Sequence, residues 1–134
     1  MCGIFGIISS SPIDENDLSA LAKHAQQRGR DSSGLMSCLD GTYQIHRADY
    51  PVMKLLKKKS LKNINIVMGH SRLITNGLSD NQPVVCDDVI VFHNGIVVND
   101  QSLWGALKTP RILNVDTEVI AAITHLFNDI RWMV

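Results

Sequence analysis

Apolar residues along the 134-residue chain fall into short runs with two different periods. Gly3–Ile8 packs Ile4, Phe5, Ile7 and Ile8 into six positions, which predicts a buried strand. Over Asp14–Gln27 the period changes: Leu18, Leu21, Ala22 and Ala25 recur at i, i+3, i+4 and i+7, as on one face of a helix. Asp14, Glu15 and Asp17 sit in its first turns, where the helix dipole favours negative charge. Arg28–Gly34 reads as a polar loop. Leu35–Leu39 and Thr42–His46 read as a hairpin across Asp40-Gly41, a dipeptide suited to a tight turn. Pro51–Lys62 is a short basic stretch with room for a helical turn, and Ile64–His70 is a second buried strand. Thr75–Gln82 is rich in turn residues. Val84–Cys86 and Val89–His93 form another hairpin across Asp87-Asp88. Helices are predicted over Asp100–Lys108 and Asp116–Ile130, the latter with Val119, Ile120, Ile123 and Phe127 on one face. Hairpin strands mixed with helices predict an α+β fold rather than a doubly wound parallel sheet.

Composition narrows the function classes. Apolar residues make up 45% and charged residues 19%, enough to build a core and too greasy for a disordered chain. The length fits one domain, residues 1–134. Thirteen Lys and Arg balance thirteen Asp and Glu, which argues against a nucleic-acid binder, since polyanions are held by excess positive charge. The five lysines between Lys54 and Lys62 read as a solvated face. No apolar run approaches the roughly 18 residues that cross a membrane. The apolar N-terminus lacks a basic flank and is broken by Gly6, so it is not read as a signal peptide. Cys2, Cys38 and Cys86 are far apart without CxxC spacing, and the five His are scattered. Neither a disulfide framework nor a metal site is expected, and a cytoplasmic protein fits.

Four places can carry chemistry. Cys2 follows the initiator Met, in a context where Met1 is commonly removed. Its thiol would then share a residue with a free α-amine of reference pKa about 7.7–8.0, a built-in base near working pH. Alone, such a Cys is more often a small buried hydrophobe. Arg72 stands where a strand gives way to a polar loop and can grip a carboxylate, though a lone Arg is usually a surface ion pair. Asn94-Gly95 offers a side-chain amide beside a glycine N–H, two donors suited to an oxyanion, or simply a turn. Asp116 opens a predicted helix, as an ordinary N-cap or as a counter-charge for an ammonium. The loop from Arg28 to Gly34 lacks phosphate-binding glycine spacing.

These pieces occur in a familiar order. Met1-Cys2-Gly3-Ile4-Phe5-Gly6-Ile7 resembles the opening of the class II glutamine amidotransferase domain, an N-terminal-nucleophile hydrolase. Arg28-Gly29-x-Asp31-Ser32-x-Gly34 resembles that family's RG-x-DS-x-G loop, and Gly69-His70-Ser71-Arg72 through Gly77 its GH-x-R segment. Gln82-Pro83 is similar to the QP or HP that follows, His93-Asn94-Gly95-Ile96-x-x-Asn99 to HNG-I-x-x-N, and Asp116-Thr117-Glu118-Val119 to DTEV. Six motifs in order, from residue 2 to residue 119, outweigh the ordinary reading of each residue alone.

The resemblance implies a four-layer αββα sandwich in which Cys2 attacks the side-chain amide of glutamine and ammonia leaves. It assigns the oxyanion to Asn94 and Gly95, the substrate carboxylate to Arg72, the substrate ammonium to Asp116, and part of the pocket lining to Thr75. Arg28 and Asp31 would support the loop around the nucleophile. No cofactor is implied. The partners implied are glutamine and a synthase domain or subunit that accepts ammonia, with room for a homo-oligomer. Leu73 stands where aminosugar-synthase relatives often carry an aromatic, Asn76 where they often carry His, and Arg30 where Pro or Tyr is frequent. The wording leans toward an aminosugar synthase, with amidophosphoribosyltransferase and asparagine synthetase as neighbouring types. Another amide hydrolase of the same class would not need both Arg72 and Asp116, and a non-catalytic relative would not need Cys2, Asn94 and Gly95 together. The apolar end Trp132-Met133-Val134 has no partner among the predicted strands, so the domain is expected to be C-terminally incomplete and a feeble glutaminase as a monomer.

Overall fold

The computed structural model describes residues 2–73, 81–107 and 109–131, the last four by their backbone alone. Thr75, Asn76, Gly77 and the Trp132–Val134 tail therefore lie outside the described residues. In chain order the elements are β1 (Gly3–Ile8), α1 (Glu15–Gln26), β2 (Ser32–Leu39), β3 (Thr42–Ala48), α2 (Val52–Lys58), β4 (Ile66–Arg72), β5 (Val84–Cys86), β6 (Val89–Val91), α3 (Asp100–Ala106) and α4 (Thr117–Arg131). The fold class is α+β. A four-stranded sheet has the order β1-β4-β2-β3, and β5 pairs with β6 in a separate hairpin. Every pairing is antiparallel.

Local chemistry sets the element ends. Asp14 caps α1 by accepting from the Asn16 N–H at 2.7 Å, satisfying a donor the helix itself cannot. Asp40 and Gly41, at φ 50° and 76°, make the two-residue turn between β2 and β3, a conformation whose twist suits a hairpin. Strand β2 begins at Ser32, inside the segment expected to be a polar loop. It is buried on both faces from Ser32 to Cys38, so no apolar–polar alternation marks it. Strand β4 likewise runs two residues beyond the expected strand and takes Arg72 into the sheet.

The two layers of apolar side chains are separate. Helices α1 and α2 cover one face of the four-stranded sheet, where Phe5, Leu35, Ala48 and Val67 meet Leu18, Ala22, Ala25, Val52 and Leu55. Each fully buried leucine or valine there contributes about 1.5–3 kcal/mol. Leu21, expected on this face, is 39% exposed at its rim. Helix α4 packs on the β5–β6 hairpin, where Ala121 meets Val84 and Val89. The expected stripe is rotated: Val119, Ala121 and Ala122 are buried, whereas Phe127 is 61% exposed. Thr117 and Glu118 are themselves buried and tied to neighbouring segments, so the helix starts on a buried polar turn and packs its small residues on the hairpin.

Register decides what the other face of the large sheet presents. Ile4, His70, Gly34 and Arg47 form one row across β1, β4, β2 and β3. Gly34 leaves a notch in that row, and the backbone of Gln82 lies in it so closely that a Cβ at residue 34 would overlap the Gln82 carbonyl. Arg47 Nε donates to the Pro83 carbonyl at 2.8 Å. Gln82-Pro83, joined by a cis peptide, thus anchors the second sheet's leading segment to the first sheet.

Candidate active site

The end of β1 brings Cys2 to the end of the sheet where β4 finishes and β2 starts. Gly3 is opposite Ser71 and Ser32 opposite Arg72, so the register continued by one residue sets Cys2 beside Arg72. Helix α1 ends next to this point, and Arg28 Nε donates to the Cys2 carbonyl at 3.2 Å. Asp31 acts here through its backbone, its N–H donating to the Arg72 carbonyl at 2.9 Å. Ser71 Oγ donates to the Gly29 carbonyl at 2.6 Å. The Arg28–Asp31 segment is thereby laced to β4 and to the residue before Gly3.

Asn94 reaches Cys2 from 92 residues away. The Cys2 N–H donates to Asn94 Oδ1 at 3.3 Å, and Asn94 Nδ2 donates to the Cys2 carbonyl at 2.9 Å. Those partners fix the orientation of the carboxamide, because a backbone nitrogen can only donate and a carbonyl only accept. One Nδ2 hydrogen remains available for another acceptor. Gly95 packs edge-on to the His93 ring, and a Cβ there would come within 2.7 Å of His93 Nε2.

Asp116, just before α4, reaches the same loop from beyond α3. Its Oδ2 accepts from the Val97 N–H at 2.7 Å, and its Oδ1 lies 3.9 Å from His93 Nδ1. The side chain thus braces the segment after Asn94-Gly95. Its neighbours complete a set of three. The Thr117 hydroxyl accepts from Gln82 Nε2 at 3.1 Å, and the Glu118 carboxylate accepts from the N–H groups of Ile112 and Leu113 at 2.9 and 2.7 Å. The first turn of α4 therefore holds three separate loops.

Arg28 and Asn94 each contact the Cys2 backbone directly. Asp116 is linked to them through His93 and Val97, and Arg72 through the sheet register and Asp31. Thr75 lies outside the described residues. Two polar side chains quoted in the motifs but given no role, Gln82 and His93, prove central to the hydrogen bonding. The sign available in the sequence was their position, immediately before Pro83 and Asn94. A surface cavity of about 470 Å³ among Pro12, Cys38, Tyr43 and Ile66 opens at the opposite end of the sheet and contains none of these groups. Among the described residues no group of three His, Cys, Asp or Glu is placed to hold a metal ion, and no helix is long and apolar enough to cross a membrane.

His70 lies beneath the site in the Gly34 row. It is almost fully buried, and its Nε2 has no hydrogen-bond partner among the described residues. Burial first, then the nearby Arg72 and His93, lower its pKa from 6.5 to about 4. The neutral ring is the form the fold accepts, so the unfolded chain takes up a proton first as pH falls. Stability from this group is complete above pH 6.5 and is lost as pH falls toward 4. Between pH 7 and pH 5 the loss should be about 2 kcal/mol, read as a lower urea midpoint. His70→Gln should abolish that part of the pH dependence.

The chain is similar over nearly its whole length to glutamine–fructose-6-phosphate aminotransferases (isomerizing). It is 34% identical to the enzyme of Rhizobium leguminosarum bv. viciae over 135 residues, which is 95% of this chain and 22% of the enzyme. The Agrobacterium fabrum enzyme is 35% identical over 134 residues, 92% of the chain and 21% of the enzyme. The Pyrococcus horikoshii enzyme is 32% identical over 139 residues, 96% of the chain and 23% of the enzyme. The chain spans about a fifth of the length of the curated relatives it matches. No protein-family model matches it.

Proposed function

We propose that this chain is a glutaminase domain of the class II amidotransferase type, hydrolysing the glutamine side-chain amide and supplying ammonia to an aminosugar-synthase acceptor domain. The observation that carries the reading is the double hydrogen bond between Asn94 and the backbone of Cys2. It joins a carboxamide donor to the backbone of the one residue whose thiol can acquire its own amine. The names of the relatives, which couple glutamine to fructose 6-phosphate, support the acceptor class. The two helix-backed sheets support a reading as the two halves of an αββα sandwich.

With Met1 removed, the nitrogen held by Asn94 Oδ1 is an α-amine. It takes the thiol proton as Cys2 Sγ bonds to the glutamine Cδ. The carbonyl oxygen becomes an oxyanion, met by the second Asn94 Nδ2 hydrogen and the Gly95 N–H. The amine returns its proton to the departing nitrogen, the C–N bond breaks, and ammonia and a thioester result. Water, deprotonated by the same amine, then attacks the thioester. The C–S bond breaks, glutamate leaves and the thiol is regained. Free glutamine is a zwitterion, so the site needs one group of each sign. Arg72 takes the α-carboxylate and Asp116 the α-ammonium, with Thr75 lining the pocket.

Arg72→Ala and Asp116→Asn separate recognition from chemistry. The asparagine keeps an acceptor for the Val97 N–H while losing the charge. Each should raise KM for glutamine about 10- to 150-fold, the equivalent of one charged hydrogen bond, with little change in kcat. A steady-state assay of glutamate release tests this. A fall in kcat at unchanged KM would refute the assignment.

A further inference from the structure

We propose that Gln82 is the positioning residue of this site, holding the Asn94-Gly95 loop and the start of α4 in register with Cys2. The inference rests on the glutaminase reading for its kinetic consequences, but its geometry stands without it. The Gln82 side chain is buried. Its Oε1 accepts from the His93 N–H at 2.6 Å, and its Nε2 donates to the His93 carbonyl at 2.8 Å and to Thr117 Oγ1 at 3.1 Å. Both Nε2 hydrogens are used. The side chain therefore does what a neighbouring strand would do: it pairs with both backbone groups of His93, two residues past the end of β6.

The two residues tied by Gln82 adjoin the two halves of the site. His93 precedes Asn94, and its ring packs against Gly95. Thr117 follows Asp116. The backbone of Gln82-Pro83, in turn, lies in the Gly34 notch and accepts from Arg47. The path closes on itself: from the large sheet through Gln82 to His93 and Asn94, and from Asn94 back to Cys2 at the edge of that sheet. Asn94 can meet the Cys2 backbone at 2.9 Å only when that path has its present length. Gln82 touches no reacting atom, so it acts on turnover through Asn94-Gly95 and on substrate binding through Asp116.

Two substitutions in the full chain test this. Gln82→Leu keeps the volume and removes all three hydrogen bonds. Gln82→Glu keeps the acceptor for the His93 N–H, replaces the amide donors, and serves where the leucine variant does not fold. In Gln82→Leu, hydrogen exchange at the amides of residues 93–97 should quicken about tenfold or more, as expected when a buried donor loses its acceptor, while the β2 and β4 amides stay protected. In Gln82→Glu the His93 N–H keeps its acceptor, and the quickening should appear at residues 94–97, released as the His93 carbonyl and Thr117 lose the Nε2 donor. With Cys2 counted by a diazoketone analogue of glutamine, kcat per titrated thiol should fall about 100-fold, the scale of a misplaced reacting group. KM should rise severalfold in the same variant. Loss of activity only in proportion to untitratable Cys2, at unchanged KM, would mean a merely structural residue and overturn the proposal. So would unchanged exchange at residues 93–97. A wild-type chain without glutaminase activity would refute the glutaminase reading alone, and the exchange measurement would still decide the role of Gln82.

Discussion

Cys2→Ala is expected to abolish glutamine hydrolysis, lowering turnover on the order of 10⁴-fold or more, the scale seen when a nucleophile is removed. The fold should survive. Among the described residues no side-chain hydrogen bond of Cys2 holds its neighbours; Asn94 and Arg28 grip its backbone nitrogen and carbonyl, which alanine retains. The urea midpoint should therefore stay near that of the parent. Cys38→Ala and Cys86→Ala should leave turnover nearly intact, since Cys38 is buried in β2 and Cys86 lies in the β5–β6 hairpin. Burial first, then Asp87, Glu118 and Asp88, push the Cys86 thiol up, away from the nucleophilic thiolate. An uncleaved N-terminal extension should be as damaging as Cys2→Ala, because an acylated nitrogen cannot take a proton. Intact-mass measurement alongside a glutamate-release assay reads both arms. Full activity in Cys2→Ala would end the nucleophile assignment.

Asn94→Ala should cost about 100- to 1,000-fold in kcat, the usual consequence of losing one oxyanion donor. Because Asn94 also grips the Cys2 backbone at both ends, the alanine variant removes two things at once. Asn94→Asp divides them. It keeps an oxygen for the Cys2 nitrogen and loses both Nδ2 hydrogens, the one on the Cys2 carbonyl and the one proposed for the oxyanion, so the grip on the nitrogen survives while the donor is gone. If the donor dominates, both variants should lose kcat to a similar degree with KM little changed. A change confined to KM in either variant would place Asn94 in ground-state binding and refute the oxyanion role.

The helices and hairpins were legible because each rests on a local rule. Alternation or 3.6-residue spacing needs only a few neighbouring residues, as the α1 face Leu18, Ala22 and Ala25 demonstrates, and the Asp40-Gly41 turn needs only two residues that accept positive φ. The candidate chemistry was legible in part for a different reason. The side chains proposed for it cluster in short motifs whose order can be recognised without knowing where they meet. What could not be read locally was burial on both faces, which hid the first residues of β2 among serines, and the rotation of α4. Thr117 and Glu118 look like ordinary first-turn polar residues, but they are buried and held by Gln82, 35 positions away, and by the nearby Ile112–Leu113 backbone, on a helix that turns Ala121 inward and Phe127 outward. The meeting of Cys2 with Asn94 is of the same kind. A run of residues sets its own period, but nothing within it specifies which hydrogen-bonding group, 92 positions on, will satisfy its backbone. That was decided by packing: a glycine notch at residue 34, the Gln82 backbone seated in it, and a side-chain amide that holds the next loop at the length needed to reach back to Cys2.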